Sequence, residues 1–171
     1  NLGNLAPSRY DCSASGPFVA PPRPHPATCF ADAACDARLV AGHRIATPFA
    51  PENSLSALRA AILLGVDIVE TDVRLTADGA VVLIHDGDVD RTLVGSGDVS
   101  KLSLAAIQAL EMRSEGKPAG DFSCDRVPTL AETFALSKGQ VVVELEVKDT
   151  AAGVKTAEYL RDHKLYDHAF L

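Results

Sequence analysis

The sequence predicts an α/β fold built on a mainly parallel sheet. Runs rich in β-branched and apolar residues, which are typical of buried strands, occur at 39–43, 67–73, 80–85 and 140–147, and a further run starts near 168. Segments with helical spacing of apolar residues separate most of these runs. This alternation favours parallel pairing, because a parallel connection needs a long crossover, which a helix usually supplies.

Polar caps and glycines mark the helices between these runs. A polar residue caps the start of a helix because its side chain accepts a hydrogen bond from an unpaired backbone N–H. A glycine often follows the last turn, as Gly65 does here. Four helices are predicted in this way: from Asn53 or Ser54 to about Leu64; from Ser103 through Leu104, Ile107 and Leu110; from the capping box of Thr129 and Glu132 to about Leu136; and from a cap at Thr150 through Val154 to Leu160.

Composition bounds the class of protein. The chain has 171 residues, of which 47% are hydrophobic, and this is enough for one domain with a substantial core. Its formal net charge of −7 argues against nucleic-acid binding, which needs a basic surface, but leaves a small anionic substrate possible. We find no apolar run long enough to predict a transmembrane segment.

Residues 1–37 are predicted to be an N-terminal extension, because prolines recur from Pro17 to Pro26 and no periodic pattern accompanies them. The four cysteines, three of them in this extension, fit two disulfides in an oxidising compartment, with three possible pairings. A zinc site and buried free thiols are the alternatives. Disulfides would pin the extension to the domain, and they predict a periplasmic or extracellular location with a processed N-terminus.

Polar residues stand at or near the ends of four predicted strands. In parallel α/β folds the functional site lies at the carboxyl ends of the strands, so we expect these residues to converge. They are His43 and Arg44; Glu70 and Asp72; His85 and Asp86; and Glu144, Glu146 and Lys148.

The residue types indicate phosphate-ester chemistry. Glu70, Asp72 and Glu146 offer oxygen ligands suited to Ca²⁺ or Mg²⁺. Two histidines, His43 and His85, suit paired acid and base work, and two cations, Arg44 and Lys148, suit phosphate binding. The alternatives are solvated carboxylates on an edge strand, core histidines, and cations that serve only in ion pairs.

The motifs themselves resemble the glycerophosphodiester phosphodiesterases in order and spacing from about residue 38 to the end of the chain. The matching stretches are Gly42-His43-Arg44, Ala50-Pro51-Glu52-Asn53-Ser54, 65–73, 75–79, His85-Asp86, Asp90-Arg91-Thr92, 127–130 and 144–148. The resemblance implies a TIM (β/α)₈ barrel with a small insertion at about 86–125, and hydrolysis of glycerophosphodiesters to glycerol 3-phosphate and an alcohol.

The same resemblance implies a role for each site residue. Glu70, Asp72 and Glu146 would hold a divalent cation, Ca²⁺ or Mg²⁺. His43 and His85 would be the catalytic acid and base, with Arg44 beside them. Arg44 and Lys148 would contact the substrate phosphate, Glu52 would lie at the substrate-binding site, and Asn53 would cap the helix that follows.

The chain departs from the family pattern at three positions and in length. Ile45 stands where the family usually has Gly, Glu144 where it often has Asn, and Leu93 where it often has Thr. A closed barrel needs eight strands and five are counted, so residues 38–171 are expected to be the N-terminal part of a barrel whose C-terminal half lies in the full-length protein. The alternative functions are phospholipase D-like cleavage of lysophospholipids and a catalytically silent binding module.

Overall fold

One sheet organises the computed structural model of this chain, which describes residues 10–171 except 15, 31, 37, 46, 47, 115 and 117–119. The sheet has five strands: β1 (Ala41–Gly42), β2 (Ile68–Leu75), β3 (Val81–Leu83), β4 (Val142–Val147) and β5 (Ala169–Phe170). Four of them pair in parallel in the order β1-β2-β4-β5. The prediction of an α/β fold with a mainly parallel sheet is therefore confirmed. Of the predicted extension, residues 1–9, 15, 31 and 37 lie outside the described part.

The third strand runs antiparallel to its neighbour, unlike the other four. Residues Asp78-Gly79 reverse the chain after β2, with Gly79 at a φ of 82°, so β3 folds back along Val73–Leu75 as a hairpin. Strand β4 pairs with the other edge of β2, so β3 lies beside the main path of the sheet. The hairpin returns the chain to the middle of β2, where the Ile84 backbone N–H donates to the Asp72 carbonyl at 3.0 Å.

The four predicted helices begin at polar caps, one of which differs from the prediction. Helix α2 (Leu55–Leu64) is capped by Ser54, one of the two predicted candidates, and not by Asn53, whose φ of 57° is incompatible with the extended conformation of a cap. Helix α5 (Thr150–Asp162) is capped by Asp149, one residue before the predicted Thr150, and the Asp149 carboxylate accepts from the Ala152 N–H at 2.8 Å. The helices are α1 (Ala27–Phe30), α2 (Leu55–Leu64), α3 (Leu104–Gln108), α4 (Leu130–Ser137) and α5 (Thr150–Asp162), with a 3₁₀ turn at Val99–Lys101.

Three features of the helices complete the comparison with the prediction. The capping box of Thr129 and Glu132 forms at α4 as predicted. Helix α3 ends before Leu110, which the pattern had included. Helix α1 is a single turn within the extension, where only extended chain was expected. Among the described residues, no helix has both the length and the apolar character needed to cross a membrane.

Strand β2 separates the core from the polar side of the sheet. Val69 and Val73 are fully buried and pack with α2 residues such as Leu58 in the main apolar cluster. Successive strand residues point to opposite faces, so Glu70 and Asp72 point the other way. The register with β4 pairs Glu70 with Glu144 and Asp72 with Glu146, which places these acidic residues side by side.

The segment predicted as an insertion, about 86–125, builds a second apolar cluster of its own. Its buried members pack with Val82 of β3 and include Val89, Leu93, Val99, Ile107 and Met112. This apolar cluster therefore stabilises the loop that follows His85.

Two disulfides are present, as the cysteine count predicted, and the structure selects one of the three possible pairings. Cys12 pairs with Cys124 across a sequence separation of 112, and Cys29 pairs with Cys35 within the extension. The extension is held a second time by Arg23, which donates to the Val66 carbonyl at 2.7 Å and forms an ion pair with Asp67. Two disulfides are compatible with an oxidising compartment such as the periplasm or the cell exterior.

Candidate active site

The turn after β1 brings His43 and Arg44 to Glu70. The Arg44 backbone N–H donates to Glu70 Oε2 at 2.8 Å, and His43 Nε2 lies 3.8 Å from the same oxygen. Arg44 and Ile45 both have positive φ angles, 46° and 56°, and the Ile45 N–H donates to the Glu70 carbonyl at 2.9 Å. The turn therefore keeps a left-handed shape even though Ile45 replaces the glycine that the family resemblance predicts.

Three carboxylates form the acidic centre of the site. One oxygen each from Glu70, Asp72 and Glu146 lies within 4.8 Å of the others. Asp72 is fully buried, and Glu70 Oε1 is a buried oxygen without a hydrogen-bond partner among the described residues. Burial raises the pKa of Glu70; the Arg44 N–H opposes this shift, and the neighbouring Asp72 carboxylate adds to it.

These residues fit a hard divalent cation. Carboxylate oxygens are the ligands that Ca²⁺ and Mg²⁺ prefer, and a cation would supply the partner that Glu70 Oε1 lacks. Lys148 partly neutralises the cluster: its Nζ lies 2.9 Å from Asp72 Oδ1 and also forms an ion pair with Glu146 Oε1. Although partial burial opposes the charge, these two carboxylates raise the pKa of Lys148.

Asn53 belongs to this centre, although the sequence suggested only a helix cap. Its side-chain Nδ2 donates to Asp72 Oδ2 at 3.1 Å, and its Oδ1 accepts from the Thr71 hydroxyl at 2.8 Å. Asn53 is 1% exposed and adopts a positive φ, which asparagine tolerates better than most residues. The available signal was an asparagine directly before a good cap, Ser54, which left its own side chain without a capping role.

His85 enters the site from the end of the β3 hairpin, not from the end of a parallel strand. Its Nδ1 lies 2.8 Å from Asp86 Oδ1, and the other Asp86 oxygen accepts from Arg91 Nε at 2.6 Å. The hydrogen bond from Arg91 is the main reason why the pKa of Asp86 is lowered; burial opposes the shift, and His85 contributes to it. Asp86 and Arg91 lie in motifs that resemble the family, but the sequence predicted no role for either residue.

Glu52 links the two sides of the site. Arg91 Nη1 and Nη2 donate to its two carboxylate oxygens at 2.8 and 2.7 Å, and Arg44 Nη1 donates to Oε1 at 3.4 Å. Burial raises the pKa of Glu52, but these arginines outweigh it, and the net shift is downward. The Glu52 carboxylate, which was predicted to lie at the substrate-binding site, is therefore engaged by two guanidinium groups.

All of the predicted site residues fall within one connected network. The acidic centre and the turn after β1 share contacts through Arg44, and the His85 side joins through Glu52. The eight residues are His43, Arg44, Glu52, Glu70, Asp72, His85, Glu146 and Lys148.

Comparison with known proteins identifies the family. The model of the glycerophosphoryl diester phosphodiesterase family matches residues 43–168, which is well over half of the chain. The chain belongs to this family. The matched range contains the carboxylates on β2 and β4 and the two histidines on the flanking turns.

Individual relatives agree with this membership. A glycerophosphodiester phosphodiesterase from Caldanaerobacter subterraneus subsp. tengcongensis is 41% identical over 112 residues, which are 64% of this chain and 45% of the relative. The crystal structure of a glycerophosphodiester phosphodiesterase from Agrobacterium tumefaciens is 32% identical, with a TM-score of 0.69 over 78% of this chain and 57% of that one.

A third relative is a phosphodiesterase from Oleispira antarctica, solved in complex with its product sn-glycerol-3-phosphate. It is 29% identical, with a TM-score of 0.65 over 74% of this chain and 53% of its own. The predicted TIM-barrel class is confirmed by these neighbours, and the five strands described here are part of such a barrel. The chain spans a little under half the length of the curated relatives that it matches first.

Proposed function

We propose that the protein is a metal-dependent phosphodiesterase that cleaves glycerophosphodiesters to glycerol 3-phosphate and an alcohol. The observation that carries this proposal is the carboxylate cluster of Glu70, Asp72 and Glu146, whose oxygens lie within 4.8 Å of one another. Family membership and the product complex of the Oleispira antarctica neighbour support the choice of substrate class.

The residues around the cluster would divide the work of phosphoryl transfer. Glu70, Asp72 and Glu146 would hold the cation, Ca²⁺ or Mg²⁺, which when bound stabilises negative charge on the phosphate oxygens. Arg44 and Lys148 lie against the same carboxylates, so in the substrate complex their charges would help to hold and neutralise the phosphate.

The two histidines would move the protons. One imidazole takes the proton from the glycerol hydroxyl as its oxygen attacks phosphorus, and the other gives a proton to the departing alcohol oxygen. This first step forms a cyclic phosphate. A water molecule then opens the ring, with the two proton transfers reversed, and glycerol 3-phosphate is left. His43 is 73% exposed and His85 is 32% exposed, so both imidazoles are accessible to a substrate.

Release of glycerol 3-phosphate from glycerophosphocholine tests the proposal directly. The purified protein would be assayed with Ca²⁺, with Mg²⁺ and with a chelator, and product release is expected only with a cation. No release with either ion, or equal release with the chelator, would contradict the proposal. Release of choline from lysophosphatidylcholine alone would instead support a phospholipase D-like activity.

A matched pair of variants on β4 separates the cation site from general effects on the strand. Glu146→Gln removes one ligand of the cluster, whereas Glu144→Gln changes the neighbouring acid in the same strand, which is not a member of it. We expect Glu146→Gln to lower kcat/KM by roughly 10²-fold or more and Glu144→Gln to change it little.

A further inference from the structure

A chain of charge-assisted hydrogen bonds joins His85 to Glu52 through Asp86 and Arg91. The distances along it are 2.8 Å from His85 Nδ1 to Asp86 Oδ1, 2.6 Å from Asp86 Oδ2 to Arg91 Nε, and 2.7 and 2.8 Å from Arg91 to the two oxygens of Glu52. Hydrogen bonds of this kind are short and directional, so each link restricts the orientation of the next side chain.

The first link selects one form of the imidazole. A carboxylate can only accept a hydrogen bond, so Asp86 Oδ1 pairs with a proton on His85 Nδ1. In the neutral ring this leaves Nε2 as the proton acceptor, and the fixed Nδ1 contact sets the direction in which Nε2 points. The ring is therefore prepared to take a proton through one particular nitrogen.

The second link fixes the Asp86 carboxylate, which selects the tautomer of His85. Arg91 uses Nε for Asp86 and both terminal nitrogens for Glu52, so all three nitrogens of its planar fork donate within the site. Its side chain is 49% exposed, and a simple surface ion pair at such a position would engage one partner. A lysine ammonium cannot reproduce this geometry, because its donors radiate from a single point.

Of the groups around His85, Asp86 is the one that sets the tautomer and the orientation of the imidazole. Arg74 Nε donates to the His85 backbone carbonyl at 2.9 Å and does not act on the imidazole. In the hydrogen bonds of the described residues, Arg91 and Glu52 are linked to the ring through Asp86. Among the described residues, the hydrogen bond to the imidazole is the one to Asp86.

We propose that Asp86 and Arg91 are positioning residues for His85. Asp86 holds the ring with its proton on Nδ1 and Nε2 free, and Arg91 fixes Asp86 against Glu52, which in turn contacts Arg44. The two sides of the site, the β3 hairpin and the turn after β1, are thereby held in a fixed position relative to each other. This assignment deepens the proposed function and depends on it only for its kinetic consequences.

The tautomer of His85 can be measured without any turnover. Long-range ¹H–¹⁵N correlation spectra of histidine-labelled protein, recorded where the rings are neutral and assigned with His85→Gln, report which nitrogen carries the proton. We expect Nδ1–H at His85 in the wild type and a shift toward Nε2–H in both Asp86→Asn and Arg91→Gln. His163, whose Nδ1 lies 2.9 Å from the Tyr159 carbonyl, is an internal reference that should stay unchanged.

Arg161→Gln is the matched control for Arg91→Gln. It removes another exposed arginine whose Nε also donates to an aspartate, Asp162, at 2.8 Å, but on helix α5. The positioning assignment is overturned if wild-type His85 carries its proton on Nε2, or if Arg91→Gln leaves the tautomer as it is in Arg161→Gln. Because Arg91 is half-exposed, its variants keep the test available should Asp86→Asn fail to fold.

Kinetics with glycerophosphocholine supply the second readout. We expect kcat to fall about 10²–10⁴-fold in Asp86→Asn and about 10–100-fold in Arg91→Gln, with KM nearly unchanged. Arg91→Lys should recover part of the loss, since it restores the charge but not the fork. An increase in KM at constant kcat would contradict positioning. If the wild type does not cleave this substrate, the proposed function fails, while the tautomer measurement still decides the role of Asp86 and Arg91.

Discussion

At the scale of single residues, the turn after β1 combines a backbone conformation and a side chain that ordinarily oppose each other. Ile45 has a φ of 56° and is 1% exposed, so a β-branched residue occupies left-handed backbone in order to fill the core. The left-handed conformation costs an L-residue roughly 1–2 kcal/mol. Burial of the side chain offsets this cost and lets the turn keep the shape that brings Arg44 to Glu70.

Two substitutions at Ile45 separate these contributions. Ile45→Ala removes most of the buried side chain but keeps the strained backbone, so we expect a loss of about 2–5 kcal/mol in the free energy of unfolding. Ile45→Gly removes the strain as well. It should be more stable than Ile45→Ala by about 1 kcal/mol, the reverse of the usual order. Urea unfolding of the two variants measures the difference, and an alanine variant equal to or better than glycine would contradict it.

Asn53 acts on the acidic centre through its amide. Asn53→Gly keeps the positive φ without strain but removes the hydrogen bonds to Asp72 and Thr71. Because the amide orients one carboxylate of the cluster, we expect the affinity for Ca²⁺ to fall about 10–100-fold, measured by calorimetric titration. Lys164→Gly is the control, since Lys164 has a similar φ of 54° outside the site. Equal affinity in the two variants would rule out this role.

At the scale of elements, helix α2 depends on a buried acid from another part of the chain. Asp125 is 3% exposed, and its Oδ1 accepts from the Ser56 N–H in the first turn of α2 at 3.3 Å. Burial raises the pKa of Asp125, although the hydrogen bonds from Ser56 oppose this shift. Asp125 therefore stabilises the start of the helix that Glu52 and Asn53 precede. When Asp125 is ionised, this arrangement buries a charge.

The raised pKa of Asp125 predicts a pH-dependent contribution to stability. A raised folded-state pKa favours folding most below the unfolded value of about 4, and this contribution is lost as the pH rises through the folded value. We expect the stability of the wild type relative to Asp125→Asn to fall across this range in chemical unfolding experiments. A difference that is constant with pH, or that grows as the pH rises, would show that the sign is wrong.

Loss of the hydrogen bond itself should appear in Asp125→Ala. This variant leaves the Ser56 N–H at the start of α2 without its acceptor, which costs about 1–3 kcal/mol for a buried donor. Asp125→Asn keeps an acceptor oxygen and should lose less.

At the scale of the whole molecule, the predicted N-terminal extension is attached covalently to the segment around Cys124. The Cys12–Cys124 disulfide closes a loop of 112 residues, whereas Cys29–Cys35 closes one of 6. In the chain-entropy description, the stabilisation grows with loop length, to about 5 kcal/mol for the long loop and about 2 kcal/mol for the short one.

Removal of each disulfide should therefore have unequal effects. The double variant Cys12→Ser with Cys124→Ser is expected to have a lower thermal midpoint than the double variant Cys29→Ser with Cys35→Ser, because it loses more free energy of unfolding. Thermal unfolding of both variants under non-reducing conditions is the measurement. Equal losses would indicate that local contacts such as Arg23 with Val66, and not loop closure, dominate the attachment of the extension.

Much of this arrangement could be predicted from the local pattern. Glu70 and Asp72 alternate in a β-branched strand, so their shared face follows from strand geometry alone. The capping box at Thr129 and the helix ending at Gly65 are likewise local hydrogen-bonding patterns. The roles of Asn53 and Arg91 could not be read in this way, because their partners lie 19 and 39 residues away in the chain.

The sequence by itself determined the strands, most of the helix caps and the set of chemical groups, because these depend on side-chain type and spacing over a few residues. Only the tertiary structure decided that β4 pairs with β2, that Cys12 bonds to Cys124, and that Arg91 joins Asp86 to Glu52. These features rest on contacts between segments far apart in the chain, and a contact of that kind is selected by packing and electrostatics in three dimensions.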